Sequence, residues 1–137
     1  MLEFNGLNYW VLLLAWVINV VVGSLWYSPI GFGKPWSKLS GVDIMKIPKN
    51  EANRAIGFVM VAALVQTFVL ALIIHSLHAH TLMEGLVAGV VLWLGFTAAT
   101  TVGNTLYSRL SWKFWWLNSS FFLFVMAING ALLAIWS

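Results

Sequence analysis

The chain has 137 residues, of which 61% are hydrophobic and only 8% are charged. A water-soluble domain of this length could not bury so much apolar surface, so the composition predicts a protein whose surface faces lipid. The net charge of +3 does not indicate nucleic-acid binding, because the basic residues lie beside the ends of apolar segments, where membrane insertion and anionic headgroups explain them. The absence of Cys excludes disulfides, iron–sulfur clusters and thiol chemistry.

Long apolar segments, each near the length that spans a bilayer, dominate the chain. They predict an all-α fold, an integral membrane bundle that forms a single domain over residues 1–137. Its four transmembrane helices cover about residues 8–28, 55–77, 82–106 and 114–136.

All seven Lys and Arg residues fall in two places, the segment 29–54 and the turn 107–113. Both places lie on the same side of the membrane if the four helices are antiparallel. The positive-inside rule then predicts that both are cytoplasmic and that both termini are external. We interpret the segment 29–54 as a loop that follows the membrane surface, with an interfacial helical turn at residues 35–39. Pro48 predicts that the second long helix begins before it enters the membrane.

The inner ends of the first and third helices share a short sequence similarity. Val22–Ser28 aligns with Val102–Ser108, with Val, Gly, Tyr and Ser matching, and both helices run from outside to inside. One explanation is two tandem hairpins related by a pseudo-twofold axis along the membrane normal. The other is that aromatic residues followed by Ser are common where helices reach the inner interface. The sequence leaves both explanations open.

A motif block runs from the end of the first helix into the following loop and comprises Trp26, Tyr27, Ser28, Pro29, Phe32, Gly33, Lys34 and Trp36. Further matches are Trp93-Leu94-Gly95-Phe96, Asn104, Trp112-Lys113, Asn118, Gly130 and Trp136. On these residues the chain resembles an uncharacterised, domain-of-unknown-function family of small bacterial four-helix membrane proteins. The resemblance implies a multi-pass protein of the bacterial inner (plasma) membrane and assigns no activity. The chain departs from the family in helix four, where it has Asn118-Ser119-Ser120-Phe121 instead of Asn-Ala-Gly-Tyr.

Amide side chains inside the predicted helices are the strongest pointers to function, because an unpaired amide in hydrocarbon costs several kcal/mol. Asn19 and Gln66 both fall near the midplane, and Asn104 and Asn118 both fall toward the cytoplasmic side, which predicts two pairs. Asn129 follows Asn118 by about three helical turns, so both should lie on the inward face of helix four. The amides either fix the register of the helices or line a narrow polar path.

The third predicted helix carries small residues at four-residue intervals, namely Gly85 and Gly89, then Gly95, Ala99 and Gly103. Such spacing predicts close packing, either within the bundle or against a second subunit. A polar lane beside the small residues consists of Thr97, Thr101, either Asn104 or Thr105, and Ser108. Of these, Thr97, Thr101 and Asn104 are candidates for the polar path. Thr hydroxyls also bond to carbonyls of their own helix, so this lane does not by itself indicate a water path.

The external turn between helices two and three gathers His75, His78, His80 and Glu84. These four side chains could bind zinc or another transition metal, or the His residues could simply meet water at the interface. Glu84 could complement a helix dipole or act in proton coupling with His75. Hydrolysis by a catalytic triad is disfavoured, because Asp43 and the His residues lie on opposite sides of the membrane. We expect no enzyme and no cofactor, and an intramembrane or metal-dependent enzyme ranks third behind the two functions that follow.

Two functions of different classes follow from these patterns. One is a small channel or transporter for a solute or ion, with the amides lining its pathway. The alternative is a non-transport accessory or scaffold protein that binds a partner or lipid through the loop 29–54. We expect membrane lipids as partners and a homo-oligomer, because a lone four-helix bundle leaves little room for a solute path. Transport predicts a wet cavity that reaches the midplane amides, and a scaffold predicts amides that are paired and dry.

Overall fold

The computed structural model describes residues 2–42 and 46–136, so Asp43 lies outside the described residues. The helices are α1 (Tyr9–Trp26), α2 (Gly33–Ser40), α3 (Lys49–Ser76), α4 (Leu82–Trp93), a π-helical turn (Leu94–Ala98), α5 (Ala99–Tyr107) and α6 (Trp112–Trp136). No strand occurs in the described part of the chain, which confirms the all-α prediction.

Four helical spans are long and apolar enough to cross a membrane, namely Tyr9–Trp26, Lys49–Ser76, Leu82–Tyr107 and Trp112–Trp136. This finding confirms the predicted four-helix membrane fold. The third element, α3, begins at Lys49 with Pro48 as its N-cap residue, ahead of the apolar segment that begins near residue 55. The predicted interfacial turn at residues 35–39 lies within the eight-residue helix α2.

The two ends of the bundle differ in charge. We call the end formed by residues 27–42, 46–48 and 107–113 the basic end. Trp36 of the first segment lies 6.5 Å from Phe114, measured between ring centroids, and Phe114 follows the second segment directly, so both segments share this end. The prediction that the two basic segments lie on one side of the bundle is therefore confirmed.

The opposite end, which we call the His end, is tied by the residues before α1. The backbone N–H of Glu3 donates to the hydroxyl of Ser76 at 2.7 Å. The side-chain amide of Asn8 donates to the carbonyl oxygen of Trp136 at 3.0 Å. The segment before α1 is therefore bonded to the last turns of both α3 and α6.

The closest packing in the bundle joins α4 to α6. A Cβ atom added at Gly85 would collide with the carbonyl oxygen of Gly130, and one added at Gly89 would collide with that of Met126. Both glycines are buried. Their absence of side chains lets the two backbones approach, as the spacing predicts for this half of the third span.

The main apolar core lies toward the His end, and α3 contributes its buried side chains there. Its buried residues all fall between Thr67 and Ile74. Every residue from 53 to 62 is exposed, so this half of α3 buries no side chain. The side chain of Phe58, for example, is 70% exposed. In lipid most of the surface of this half would contact acyl chains.

The π-helical turn rotates the second half of the third span. In a regular α-helix Gly103 would lie on the same face as Gly85, because a spacing of 18 residues corresponds to about five full turns. A π-turn adds a residue and shifts the following residues by about 100°. A Cβ atom added at Gly95 or Gly103 would meet nothing within 4 Å, and Ala99 is exposed. The prediction that these three residues pack within the bundle is therefore wrong. Their packing against a second subunit stays a prediction.

Candidate functional site

Residues 26–36, which we call the motif corner, form a compact connection between α1 and α2. The carbonyl oxygen of Ser28 accepts hydrogen bonds from the backbone N–H groups of Gly31 and Gly33, both at 3.0 Å. The hydroxyl of Ser28 donates to the carbonyl oxygen of Leu25 at 2.7 Å. Gly33 is buried, and a Cβ atom there would collide with the carbonyl oxygen of Tyr27. The motif residues thus build a tight backbone turn.

Aromatic contacts hold the motif corner against α6. The ring of Tyr27 lies 6.1 Å from that of Trp36 and 5.5 Å from that of Phe121. The indole N–H of Trp26 donates to the carbonyl oxygen of Leu117 at 3.2 Å. Its ring lies 4.7 Å from that of Phe32. Together these contacts pack the motif corner against α6 and fix the position of α2 on the bundle.

The cations of α2 point away from this aromatic cluster. Lys34 and Lys38 are exposed, whereas Trp36 is half-buried. Lys34 and Lys38 are one helical turn apart and therefore share a face. Among residues 2–42 and 46–136, no Lys or Arg lies within ion-pair distance of a carboxylate, and Glu3 is approached by His side chains instead. The basic end therefore presents cations that a negatively charged ligand could meet.

The predicted pairing of the two midplane amides is confirmed. The side-chain amide of Asn19 donates to the side-chain oxygen of Gln66 at 2.9 Å, which joins α1 to α3. Asn19 is only 5% exposed. A buried amide pair of this kind fixes the register of two helices and leaves neither group facing hydrocarbon alone.

Asn129 lies inside the bundle, as its predicted inward face requires. Its side-chain amide donates to the carbonyl oxygen of Ala15 at 3.0 Å, and its exposed fraction is 1%. Within the described ranges, its side-chain oxygen Oδ1 has no hydrogen-bond partner. The clamp interpretation does not explain this buried oxygen.

The predicted pairing of Asn104 with Asn118 is wrong. Asn118 accepts a hydrogen bond from the hydroxyl of Tyr27 instead, at 2.5 Å. Asn104 is exposed on α5. The position of a residue along a helix gives its depth in the membrane but not the face on which its side chain lies. The π-helical turn rotates this half of the span, so that Asn104 lies on an outward face.

Thr97 and Thr101 are involved in bonds within the protein. The Thr97 hydroxyl lies 3.8 Å from the sulfur of Met126, and the Thr101 hydroxyl donates to the carbonyl oxygen of Thr97 at 2.7 Å. The indole N–H of Trp115 contacts the Thr101 hydroxyl at 3.1 Å and the carbonyl oxygen of Ala98 at 3.2 Å. These bonds satisfy the polar groups beside the π-helical turn and support the interpretation that the Thr lane is structural.

The four candidate metal ligands do not form a set. No group of three or more His, Cys, Asp or Glu side chains that could hold a metal ion occurs among the residues described. His75 and His78 instead approach Glu3, with nitrogen–oxygen distances of 3.8 and 3.5 Å. Nε2 of His75 also lies 2.7 Å from the carbonyl oxygen of Asn5. The His residues therefore bind the segment that precedes α1, and His80 is exposed in the turn.

Glu84 takes the helix-capping role. Its backbone N–H donates to the hydroxyl of Thr81 at 3.1 Å, and that hydroxyl donates to the Glu84 carboxylate at 3.0 Å. Thr81 is the N-cap residue of α4. A carboxylate in the first turn complements the helix dipole, which is the plainer of the two predicted roles.

Sequence reasoning missed two kinds of functional contact. Asn8 caps α1 by accepting from the backbone N–H groups of Trp10 and Val11, and an Asn directly before an apolar run is a recognised helix-start signal. The Trp indoles were also missed, although a buried indole N–H needs an acceptor. Trp93, for example, donates to the carbonyl oxygen of Ser119 at 2.8 Å.

A sequence model of the family described as "Protein of unknown function (DUF1761)" matches residues 10–134. The matched range includes the motif corner, both amides of the midplane pair and nearly all of the four long spans. No curated protein and no solved structure matches the chain.

Proposed function

The chain belongs to the DUF1761 family of unknown function, and we propose that it is a non-transporting membrane protein whose basic end binds anionic phospholipid headgroups. It is an accessory or scaffold protein in this proposal, and its basic end faces the cytoplasm by the positive-inside rule. The buried amides act as clamps that fix the helices.

The fixed position of α2 is the observation that carries the proposal. The aromatic contacts of Tyr27 and Trp36 hold this short helix on the bundle while Lys34 and Lys38 remain exposed. A helix with aromatic residues toward the bundle and cations toward the outside suits the boundary between acyl chains and headgroups. Fixed cations also lose less conformational freedom on binding than cations on a mobile loop.

The charge balance of the basic end favours an anionic ligand. The seven Lys and Arg residues of the chain all belong to this end or to the adjoining turns of α3 and α6. Each cation near an anionic leaflet contributes about 1 kcal/mol of attraction, which falls as salt screens it. Several such contributions together give a preference that can be measured.

Transport is the second candidate, and the unpartnered Oδ1 of Asn129 is the observation that favours it. A polar path through the bundle would need further polar groups in contact with that oxygen. The hydrogen bond between Asn19 and Gln66 opposes this candidate, because it occupies the amides nearest the midplane. The clamp interpretation therefore has more support.

Lipid binding by the full-length protein tests the proposal. The protein is reconstituted in nanodiscs that contain equal amounts of phosphatidylglycerol and phosphatidylcholine, and the lipids that stay with it after mild extraction are counted by mass spectrometry. We expect enrichment of phosphatidylglycerol that falls as salt rises. The double variant Lys34→Gln, Lys38→Gln should lose much of the enrichment.

The matched control is Lys34→Arg, Lys38→Arg, which keeps both charges and should keep the enrichment. Equal lipid composition around the wild type and the Gln variant would contradict the proposal. Loss of enrichment in the Arg control as well would indicate that the variants disturb α2 instead of removing charge.

A further inference from the structure

An apolar cleft, open to the surface of the bundle, lies between α1 and α3. It has a volume of about 260 Å³ and is lined by Trp16, Val17, Val20, Val21 and Met60. The indole N–H of Trp16 donates to the carbonyl oxygen of Met60 at 3.0 Å, which ties the two helices together beside the cleft. The helix pair is thus held together at this point, although α3 beyond it buries no side chain.

The face of α3 that lines the cleft leads to polar residues at the basic end. Asn53 and Lys49 precede Met60 by about two and three helical turns, so all three share one face. Their positions are about 10 and 16 Å along α3 from Met60. A Cβ atom added at Gly57, between them, would meet nothing within 4 Å. The face of α3 between the cleft and Lys49 is therefore open, and it becomes polar at Asn53.

The wall formed by α1 has the same order of residues. Ser24 follows Val20 by one helical turn toward the basic end and is exposed. Its hydroxyl donates to the carbonyl oxygen of Val20 at 2.8 Å, so the hydroxyl oxygen can still accept. Both walls are apolar at the level of Met60 and polar nearer the basic end.

We propose that this cleft holds one acyl chain of an anionic phospholipid, whose phosphate lies beside Asn53 and Lys49. This inference rests on the proposed function, because it assigns a particular site to the anionic lipid that the basic end attracts. The apolar cleft matches the acyl chain, and the polar and cationic residues above it match the headgroup. The acyl chain also covers apolar surface of α3 that no other helix covers.

The residues around the cleft favour a phospholipid over a second copy of the protein. An α-helix with its side chains is about 10–12 Å across, so a helix of a second copy would lie over the cleft and leave its lining unfilled. An acyl chain is far thinner than a helix and matches the apolar lining of the cleft. The cation at the open end further favours a ligand with a phosphate.

Native mass spectrometry of the full-length protein released from the mixed nanodiscs tests the site. We expect one phosphatidylglycerol molecule to stay bound after activation that removes other lipids. Val21→Trp places an indole in the cleft and should abolish this retained lipid, and Val17→Trp is a second filling variant. Val17 and Val21 are both 49% exposed, so the protein can accommodate the larger side chain and still fold. Val65→Trp, at an exposed position outside the cleft, is the control and should retain the lipid.

Lys49→Gln tests the headgroup contact. We expect the ratio of retained phosphatidylglycerol to phosphatidylcholine to fall about fivefold, the effect of one cation near an anionic membrane surface. Lys49→Arg keeps the charge and should keep the ratio. A ratio that Lys49→Gln leaves unchanged would contradict the proposed headgroup contact.

Further outcomes of these experiments distinguish failure of the cleft proposal from failure of the proposed function. Retention of the lipid by both filling variants, or a wild-type dimer that carries no lipid, would overturn the cleft proposal. The variant Lys34→Gln, Lys38→Gln should lose loosely bound phosphatidylglycerol and keep the retained molecule. If it keeps the loosely bound lipid while Val21→Trp loses the retained one, the cleft proposal stands and α2 is not the binding surface.

Discussion

The hydroxyl of Tyr27 and the side-chain oxygen of Asn118 form a hydrogen bond between residues that are 91 positions apart. It joins the end of α1 to the second turn of α6. Trp36 packs edge-on against the same Tyr27 ring, so the bond also supports α2. The motif corner therefore depends on a contact between the first and last long helices.

Removal of the Tyr27 hydroxyl should loosen this corner. We expect Tyr27→Phe to lower the free energy of unfolding by about 0.6–1.7 kcal/mol, the range of side-chain hydrogen bonds between membrane helices. A double-mutant cycle with Asn118→Leu, measured by unfolding in mixed micelles, isolates this contribution. A coupling energy near zero between the two positions would show that the bond does not stabilise the protein.

The glycines of the third span should differ sharply in their tolerance of Ala. Gly85→Ala should cost about 1–3 kcal/mol or more, because its Cβ would collide with the backbone of α6. Gly103→Ala, on the same span, should be neutral or stabilising by up to about 1 kcal/mol, since its Cβ meets no atom and Ala is the better helix former. Thermal unfolding of both variants checks this. A large loss at Gly103 would instead indicate that its face is covered by a second copy.

The midplane pair separates the clamp from the transport candidate. Asn19→Leu should cost about 1–3 kcal/mol because it leaves the Gln66 amide without its partner, and the double variant with Gln66→Leu should cost less than the sum of the two. In liposomes, the clamp interpretation predicts that wild type and variants give the same background solute flux. Flux through the wild type that disappears in a folded Asn19→Leu variant would favour transport.

The cap of α1 should be measurable against a neighbouring Asn. Asn8→Ala removes an acceptor for two backbone N–H groups and a donor to Trp136, and we expect a loss of about 0.5–2 kcal/mol. Asn5→Ala is the matched control, because Asn5 contributes its backbone carbonyl oxygen to His75 and that group is unchanged. Hydrogen exchange of the first turn of α1 reports the difference. Similar exchange in the two variants would contradict the capping role.

Features that depend on position along the chain could be predicted from the sequence. The four spans follow from apolar segments of bilayer length, and the bond between Asn19 and Gln66 follows from their equal depth. The shared location of the two basic segments follows from counting antiparallel helices. Each of these predictions depends only on the depth of a residue in the membrane.

Features that depend on rotation about a helix axis could not be predicted. Asn104 and Asn118 lie at similar levels, yet Asn104 faces outward and Asn118 meets Tyr27. The similarity between Val22–Ser28 and Val102–Ser108 has the same limit. Tyr27 is half-buried, whereas its counterpart Tyr107 is 93% exposed, so the aligned residues have different surroundings. Tandem duplication stays a prediction.

The π-helical turn at Leu94–Ala98 determines which side chains of α5 face outward. The carbonyl oxygen of Ala98 at its end accepts from the indole of Trp115, so the turn is held from inside the bundle. Deleting one residue from this turn would convert it to a regular α-helix. The part of the span that follows, α5, would then rotate by about 100° about the helix axis. A single insertion or deletion could thus exchange the side chains shown to lipid without replacing any of them.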